Sequence, residues 1–269
     1  MRLLRLFRAP SLGGIRAPGS VRAGDALRRM ERLPFADLDA ITGGGPALVL
    51  APHPDDESLG CGGLIAEACA RGRPPVVAVL TDGTMSHPSS PSHPSARLKA
   101  LREEETRAAV AALGLPPGRL HFLEFPDSRA PTEGPGFAAA VDRVAELGRA
   151  QGCGCVLATW EHDPHRDHAA AHAVAREAAR RTGARLVSYP VWGWTLPARH
   201  RLPGGGRAPG ARLDVARHLP AKRRAIAAHA SQHPGLITDD PKGFSLTPEM
   251  LAFHDRPFEV FLFAAEDAG

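Results

Sequence analysis

Short, continuous apolar runs alternate with longer amphipathic stretches along most of the chain. Such runs are typical of parallel strands buried on both faces, and the longer stretches repeat apolar residues at helical spacing. The predicted strands are 46–52, 75–83, 119–127, 155–163 and 184–194. The predicted helices between them are 60–73, 96–114, 136–150 and 167–182. This alternation predicts an α/β fold with a doubly wound, mostly parallel, Rossmann-like sheet.

The C-terminal part of the chain adds shorter elements to this pattern. After a loop at 196–212, the sequence predicts a short strand near 212–216, a helix at about 219–232 and a strand at 258–263. These elements are too short to bury a core of their own. We therefore expect a single domain over 45–265, with a C-terminal strand and helix addition.

The composition is that of an ordinary globular protein. The 269 residues are 43% hydrophobic and 23% charged, which excludes a largely disordered chain. No window approaches 18 uninterrupted apolar residues, which excludes a polytopic membrane protein. The four cysteines do not have the density of a disulfide scaffold, and the pattern of a secretory signal is missing, so we expect a cytoplasmic location.

Positive charge is concentrated at the start of the chain. Residues 1–30 contain seven arginines and one acid, Asp25, although the whole protein has a net charge of only +4. The remainder is close to neutral, so we expect no nucleic-acid partner. The arginines and prolines of this segment predict a basic, disordered arm over 1–30. Contact of the arm with a membrane surface, or a targeting role, is the alternative.

Two clusters of histidine and acidic residues follow predicted strands. The sequence His-Pro-Asp-Asp-Glu at 53–57 follows the strand at 46–52. The sequence His-Asp-Pro-His-Arg-Asp-His at 162–168 overlaps the end of the strand at 155–163 and continues beyond it. In the common doubly wound order these two strands are neighbours, at the point of the sheet where ligands bind. We therefore expect the two clusters to meet in space.

The residue types in these clusters suit a divalent metal ion. Histidine and aspartate bind borderline ions such as Zn²⁺, and a catalytic zinc site usually has three protein ligands and one open position. The remaining groups are then available for acid–base chemistry. Carboxylates at 55–57 also fit the start of a helix, where the helix dipole favours negative charge. The occurrence of clusters at two neighbouring strand ends favours the metal site.

The same residues carry two motifs of a known family. Residues 51–57 (APHPDDE) and 165–168 (HRDH) resemble the signature motifs of the PIG-L/LmbE-like zinc-dependent de-N-acetylases. Weaker similarities are Arg102-x-x-Glu105, Phe122-Leu123-x-x-Pro126-Asp127 and His229-x-Ser231-Gln232. The resemblance covers about 45–265. It implies an enzyme that hydrolyses the acetamide of an N-acetylated amino sugar or glycoconjugate.

By motif position, the resemblance implies that His53, Asp56 and His168 bind Zn²⁺. Asp55 would be the general base that acts on the attacking water. His172 stands one helical turn beyond His168. It would be a second ligand or a buried supporting histidine, and we expect the supporting role.

The resemblance assigns roles to four further residues. His165 would stabilise the oxyanion or protonate the leaving amine, and Asp167 would fix the tautomer of His165. Asp127 would contact a sugar hydroxyl. Arg102 would either contact the substrate or be a solvated charge on a helix face. The implied partner is a small N-acetylated amino sugar or glycoconjugate, and the oligomeric state is not indicated.

Two other functions compete with this interpretation. A metal-dependent phosphoesterase would usually need two metal ions about 3.5–4 Å apart. A non-catalytic carbohydrate-binding protein would have no need for the general base Asp55 or for His165 and Asp167. The presence of these residues favours an enzyme, a zinc-dependent N-deacetylase with one ion per chain.

Overall fold

The computed structural model describes residues 20–203 and 209–264. Within these ranges the strands are β1 (Val21–Arg22), β2 (Ala47–Ala51), β3 (Val76–Thr81), β4 (Leu120–Phe125), β5 (Cys155–Thr159), β6 (Arg185–Tyr189), β7 (Arg201–Leu202), β8 (Gly210–Asp214) and β9 (Phe258–Phe263). The helices are α1 (Ala23–Met30), α2 (Leu38–Thr42), α3 (Asp56–Ala70), α4 (Ser95–Ala112), α5 (Gly134–Ala150), α6 (Arg166–Thr182), α7 (Leu219–Ala228) and α8 (Pro248–His254).

The main sheet of the described residues has the order β4-β3-β2-β5-β6-β9-β8. The five strands from β4 to β6 are parallel, and β9 runs antiparallel to both of its neighbours. This order confirms the predicted doubly wound, mostly parallel sheet. It also places β2 directly beside β5, with Leu48 opposite Val156 and Leu50 opposite Ala158. The reversal of strand order therefore falls between the two strands that carry the predicted clusters.

Helices cover both faces of the sheet because its central strands are apolar on both faces. Every residue of β2 and β3 is buried. One face packs against α3, α4 and α7 through residues such as Leu64, Val110 and Ile226. The other face packs against α5 and α6 through residues such as Val144 and Val174. The result is a three-layer domain whose core lies on the two sides of one sheet.

The C-terminal elements extend the main sheet, as the predicted addition requires. The strands predicted near 212–216 and at 258–263 are β8 and β9, which pair with each other and, through β9, with β6. The predicted helix at 219–232 is shorter, because α7 ends at Ala228 and a 3₁₀ turn follows at Ala230–Gln232. The helix α8 was not predicted. No helix in the described part of the chain is long and apolar enough to cross a membrane.

Residues 20–30 are folded, which corrects the prediction of a disordered arm for this described part of 1–30. β1 pairs with β7, and α1 buries Ala23, Ala26 and Met30 in a cluster with Trp160 and Trp194. These three positions share one face of the helix, while its arginines lie exposed on the other. Burial of that face outweighs the basic composition, so the folded unit includes residues before the predicted boundary at 45. Residues 1–19 lie outside the described residues.

Candidate metal centre and active site

The carboxyl ends of β2 and β5 bring the two predicted clusters together. β2 leads into His53 and Asp56, while the loop after β5 leads into α6, which carries His168 in its first turn. Asp56 Oδ2 lies 3.1 Å from His53 Nδ1 and 3.2 Å from His168 Nε2. All three side chains are buried. Asp56 therefore contacts both of the other expected ligands, and the binding of an ion by these three residues stays a prediction.

A carboxylate without a predicted role orients His168. Asp163 Oδ2 lies 3.0 Å from His168 Nδ1. The Asp163 carboxylate also accepts from the backbone N–H groups of Val191, Trp192 and Gly193, at 2.7 to 3.0 Å. The Asp163 carboxylate favours the His168 tautomer with hydrogen on Nδ1. The lone pair of His168 Nε2 is then available to a cation. A carboxylate behind a histidine is the usual support of a metal ligand.

Two buried atoms at the centre of the cluster have no hydrogen-bond partner among the described residues, namely His168 Nε2 and Asp56 Oδ1. Buried polar atoms are rarely left unpaired, and a cation would satisfy both. Ligand atoms of two sets of three residues lie within 4.8 Å of one another: His53, His165 and His168, and His53, Asp127 and Asp167. The expected ligand Asp56 belongs to neither of these two sets. The cluster can therefore hold a metal ion, with the nitrogen and oxygen donors that borderline divalent ions prefer.

The carboxylates of the cluster raise the pKa values of its histidines, whereas burial lowers them. Burial lowers the pKa of His168, but the Asp56 and Asp163 carboxylates outweigh it and raise this pKa to about 9. Burial also lowers the pKa of His53, and three surrounding carboxylates raise it well above its usual value. The cluster is thus built to hold positive charge, whether as protons or as a cation.

Asp55 begins α3 in an unusual backbone conformation. Its φ is 132° and its ψ is −29°, a region that residues with a side chain rarely adopt and that costs about 1–3 kcal/mol. The side chain is buried, and burial raises the pKa of its carboxyl to about 7, although the Arg102 guanidinium works in the opposite direction. A pKa near neutrality suits a general base.

Arg102 contacts the loop around Asp55 and is almost completely buried. Its side chain is 3% exposed. The guanidinium donates to the carbonyl oxygens of Gly83, at 2.8 Å, and of Pro54, and it lies 3.3 Å from Asp55 Oδ2. The structure therefore corrects the interpretation of Arg102 as a solvated charge, and its contact with a substrate stays a prediction. The reason is that α4 turns this side chain inward, beneath the first cluster.

The Asp167 carboxylate contacts groups other than the ring of His165, so any control of the His165 tautomer comes from the Asp167 backbone. It accepts from the backbone N–H groups of Ser128, at 2.6 Å, and Ala130, at 3.2 Å, and lies 3.4 Å from His53 Nε2. Asp167 therefore fixes the loop after β4 against the cluster. The residue affects His165 through its backbone N–H, which donates to His165 Nδ1 at 3.2 Å and so caps α6.

His165 is a neutral histidine beside the cluster. Its ring centroid lies 4.7 Å from that of His53 and 5.1 Å from that of His168. Burial, followed by the positive charge of these two histidines, lowers the pKa of His165 to about 3. Because Nδ1 accepts a hydrogen bond, the ring hydrogen lies on Nε2. His165 can therefore donate a hydrogen bond as a neutral group.

Asp127 lies at the edge of the cluster. Its Oδ1 is 3.4 Å from His53 Nε2, and its Oδ2 accepts from the backbone N–H of Met85 at 2.8 Å. Burial raises the pKa of Asp127, but the hydrogen bond and charge of His53 outweigh it and lower the pKa overall. Asp127 is thus an ionised acceptor beside a loop whose Met85 side chain is 47% exposed. Its contact with a sugar hydroxyl stays a prediction.

His172 is buried, and its supporting role stays a prediction. Its Nδ1 lies 3.1 Å from the carbonyl oxygen of Thr159 and 3.4 Å from Ser188 Oγ. It belongs to neither of the metal-capable sets found among the described residues. These contacts join α6 to the ends of β5 and β6.

Several supporting residues near the site had no predicted role. Asp163 stands inside the second cluster, so its position beside His168 was the signal that could have revealed it. Glu57 lies 3.0 Å from His229 Nε2, although 172 positions separate the two residues. Glu105 accepts from the backbone N–H and the hydroxyl of Ser231, both at 2.6 Å. The weak His-x-Ser-Gln similarity pointed to the last element but not to its partners.

Comparison with known proteins agrees with this geometry. Residues 48–179 match the family described as PIG-L: GlcNAc-PI de-N-acetylase. The chain is 31% identical over 216 residues to 2'-N-acetylparomamine deacetylase from Streptomyces fradiae, covering 73% of this chain and 75% of that protein. It is also 31% identical over 238 residues to 1D-myo-inositol 2-acetamido-2-deoxy-alpha-D-glucopyranoside deacetylase 1 from Saccharopolyspora erythraea. This match covers 69% of this chain and 77% of that protein.

A solved structure shares the fold. N,N'-diacetylchitobiose deacetylase from Pyrococcus horikoshii superposes with a TM-score of 0.58 at 20% identity, covering 74% of each chain. The mostly parallel sheet of this chain is therefore shared with a deacetylase of the LmbE type. The chain belongs to the PIG-L family, and both of its signature motifs lie within the matched residues. It is accordingly an amide-hydrolysing enzyme.

Proposed function

We propose that the protein is a zinc-dependent hydrolase that removes the N-acetyl group from an N-acetylated amino sugar or glycoconjugate. The observation that carries this proposal is the convergence of His53, Asp56 and His168, two of which leave a buried atom unpaired. The names of the related deacetylases describe N-acetylated amino sugars, which supports the substrate class.

His53, Asp56 and His168 would hold the ion. Two neutral imidazoles and one carboxylate form a common catalytic zinc set, with an open position for the reactants. When bound, zinc polarises the amide carbonyl and lowers the pKa of a water to about 7. Asp163 keeps His168 in the tautomer that such a site requires.

Asp55 would act as the general base. Its carboxyl takes a proton from the attacking water while the water oxygen forms a bond to the carbonyl carbon of the acetamide. The same proton is then available to the nitrogen as the C–N bond breaks. Acetate and a free amine result. The pKa of about 7 gives Asp55 both a basic form and an acidic form near neutral pH.

His165 would donate its Nε2 hydrogen to the carbonyl oxygen as negative charge develops there. Such donors contribute most when they are fixed before the reaction. The backbone N–H of Asp167 fixes the ring. Because the pKa of His165 is lowered to about 3, hydrogen-bond donation is favoured over protonation of the leaving amine.

Asp127 would accept a hydrogen bond from a sugar hydroxyl. Its ionised carboxylate lies beside His53, at the side of the cluster next to the loop that carries Met85. A cytoplasmic location and the lack of a nucleic-acid partner stay predictions.

Release of acetate from a panel of N-acetylglucosaminyl compounds tests the proposed function. The zinc-loaded protein should release acetate from at least one compound, and the Asp55→Asn protein should not. Release of phosphate from p-nitrophenyl phosphate, together with two ions per chain, would support the phosphoesterase instead. Sugar binding without any acetate release would support the non-catalytic alternative.

A further inference from the structure

At the start of α3, the Glu57 carboxylate forms a buried pair with a histidine from a distant part of the chain. Glu57 is 0% exposed and His229, which follows α7, is 1% exposed. His229 Nε2 lies 3.0 Å from Glu57 Oε1, and the Ser58 hydroxyl donates to the same oxygen at 2.7 Å. The Glu57 carboxylate is therefore held in one orientation by donors from two elements.

The other oxygen of Glu57 reaches Asp55. The backbone N–H of Asp55 donates to Glu57 Oε2 at 3.0 Å. The carbonyl oxygen of Asp55 accepts from the N–H groups of Ser58, at 3.0 Å, and Leu59, at 2.9 Å. Asp55 is the residue whose φ is 132°. A backbone conformation of this kind persists only where its surroundings hold it from several sides.

We expect the orientation of the Glu57 carboxylate, and through it the backbone of Asp55, to depend on His229. Without it, Glu57 Oε1 would keep only the Ser58 hydroxyl, and a buried carboxylate would lose the positive group opposite it. The carboxylate could then rotate away from the N–H of Asp55. The backbone of Asp55 would lose one of the contacts that hold it in the strained region.

We propose that the Glu57–His229 pair positions Asp55, so that the Asp55 carboxylate is directed at the reacting water. The proposal rests on the proposed function, in which Asp55 is the general base. Glu57 and His229 are positioning residues, because they act through Asp55. His229 thereby becomes part of the catalytic apparatus, although it lies 172 positions from Glu57.

A second buried pair, which packs against the middle of α3, provides a matched control. Lys222 Nζ lies 2.6 Å from Glu259 Oε1, and Glu259 accepts from the N–H groups of Gly63, at 2.7 Å, and Leu64, at 2.8 Å. Both side chains are buried. This pair also joins α3 to the C-terminal part of the chain, but it contacts the middle of the helix and not Asp55. We expect loss of either pair to weaken the packing of α3, and only loss of the Glu57–His229 pair to change the position of Asp55.

The experiment compares His229→Ala, His229→Gln and Lys222→Met as full-length, zinc-loaded proteins. We expect His229→Ala to lower kcat by about 10- to 100-fold, because a small misplacement of a reacting group has effects of this size. KM and zinc content should stay unchanged. His229→Gln should recover part of kcat, because the glutamine amide can donate to Glu57 from the place of Nε2. Lys222→Met should lower the melting temperature and leave kcat nearly unchanged.

Crystal structures of the same variants provide a measurement that is independent of activity. In His229→Ala the φ of Asp55 should leave the positive region, whereas it should stay there in Lys222→Met. An unchanged Asp55 backbone in His229→Ala, or a kcat loss equal to that of Lys222→Met at equal loss of stability, overturns the positioning proposal. Lack of acetate release by the unsubstituted protein overturns the proposed function instead, so the two failures can be distinguished.

Discussion

Buried polar groups contact α3 at its middle and at its start, and the two places differ in how completely these groups are hydrogen-bonded. In the middle of the helix, the two oxygens of Glu259 receive the N–H groups of Gly63 and Leu64 and the ammonium of Lys222. At its start, Asp56 Oδ1 has no partner among the described residues, and Asp55 has a strained backbone.

The difference separates a stabilising site from a binding site within one helix. Stability favours complete pairing, because each unpaired buried polar group costs about 1–3 kcal/mol. The start of α3 keeps both an unpaired oxygen and a strained residue, and the rest of the fold compensates for them. Incomplete pairing at the end of a buried strand is therefore a physical sign of a site that binds something.

Removal of a predicted ligand should have the largest effect at the incompletely paired site. We expect His168→Ala to lose bound zinc and all measurable deacetylase activity, because Asp56 and His53 cannot complete the site alone. Zinc per chain, measured by atomic emission, checks this. His172→Ala, one turn further along α6, is the control and should keep its zinc. Full zinc occupancy in His168→Ala would show that the ligand assignment is wrong.

Neutralising the general base should affect chemistry without affecting the metal. We expect Asp55→Asn to lower kcat by roughly 10²–10⁴-fold while zinc content is unchanged. Asp56→Asn, the neighbouring substitution, should lose zinc and activity together. Acetate release and zinc content are measured on both proteins. If Asp55→Asn loses the metal and Asp56→Asn keeps it, the two roles must be exchanged.

Breaking the fully paired site should affect stability instead. We expect Lys222→Met to reduce the free energy of unfolding by about 3–5 kcal/mol, because it leaves the Glu259 carboxylate buried without its cation. Urea denaturation measures this change, and the folded protein should still bind zinc. Arg223→Ala, which removes the adjacent exposed pair with Asp255, should cost at most about 1 kcal/mol. Equal losses for the two variants would remove the distinction between the sites.

The support behind His168 should have a smaller effect than the ligand itself. We expect Asp163→Asn to weaken zinc affinity by about 10- to 100-fold, the usual effect of removing the carboxylate behind a metal-binding histidine. Competition with a zinc chelator measures the affinity. Asp142→Asn, on the exposed side of α5, is the control and should leave affinity unchanged. A normal affinity in Asp163→Asn would mean that the backbone alone orients His168.

The sequence predicted those parts of the site that are close together in the chain. His53, Asp55 and Asp56 share one strand end, and His165 and His168 share one helical turn, so periodicity and strand order were enough to bring them together. The pairing of Glu57 with His229 depends on how α7 docks against α3, and no local pattern records it. The position of Arg102 was missed for the same reason, because an arginine on a predicted helix gives no sign of burial.

The fold was predicted best where its pattern was most regular. The five parallel strands followed from continuous apolar runs, and their order followed from the common doubly wound arrangement of such strands. The helix α1 was missed because its buried face consists of Ala23, Ala26 and Met30, which give a weak hydrophobic signal among arginines. Small residues bury little area each, and only their contact with Trp160 and Trp194 makes that face part of the core.

The glycines of α3 have a consequence for the order in which the enzyme forms during its synthesis. A Cβ at Gly60 would lie 2.2 Å from Tyr189 Cδ2, and one at Gly63 would lie 2.4 Å from Val215 Cγ1. Each glycine also lowers the intrinsic helix stability by about 1 kcal/mol relative to alanine. Two of the N–H groups of α3, those of Gly63 and Leu64, also have their side-chain acceptor in β9, through Glu259. We expect a nascent chain that already contains both signature motifs to lack these contacts with α3 until β9 has been synthesised.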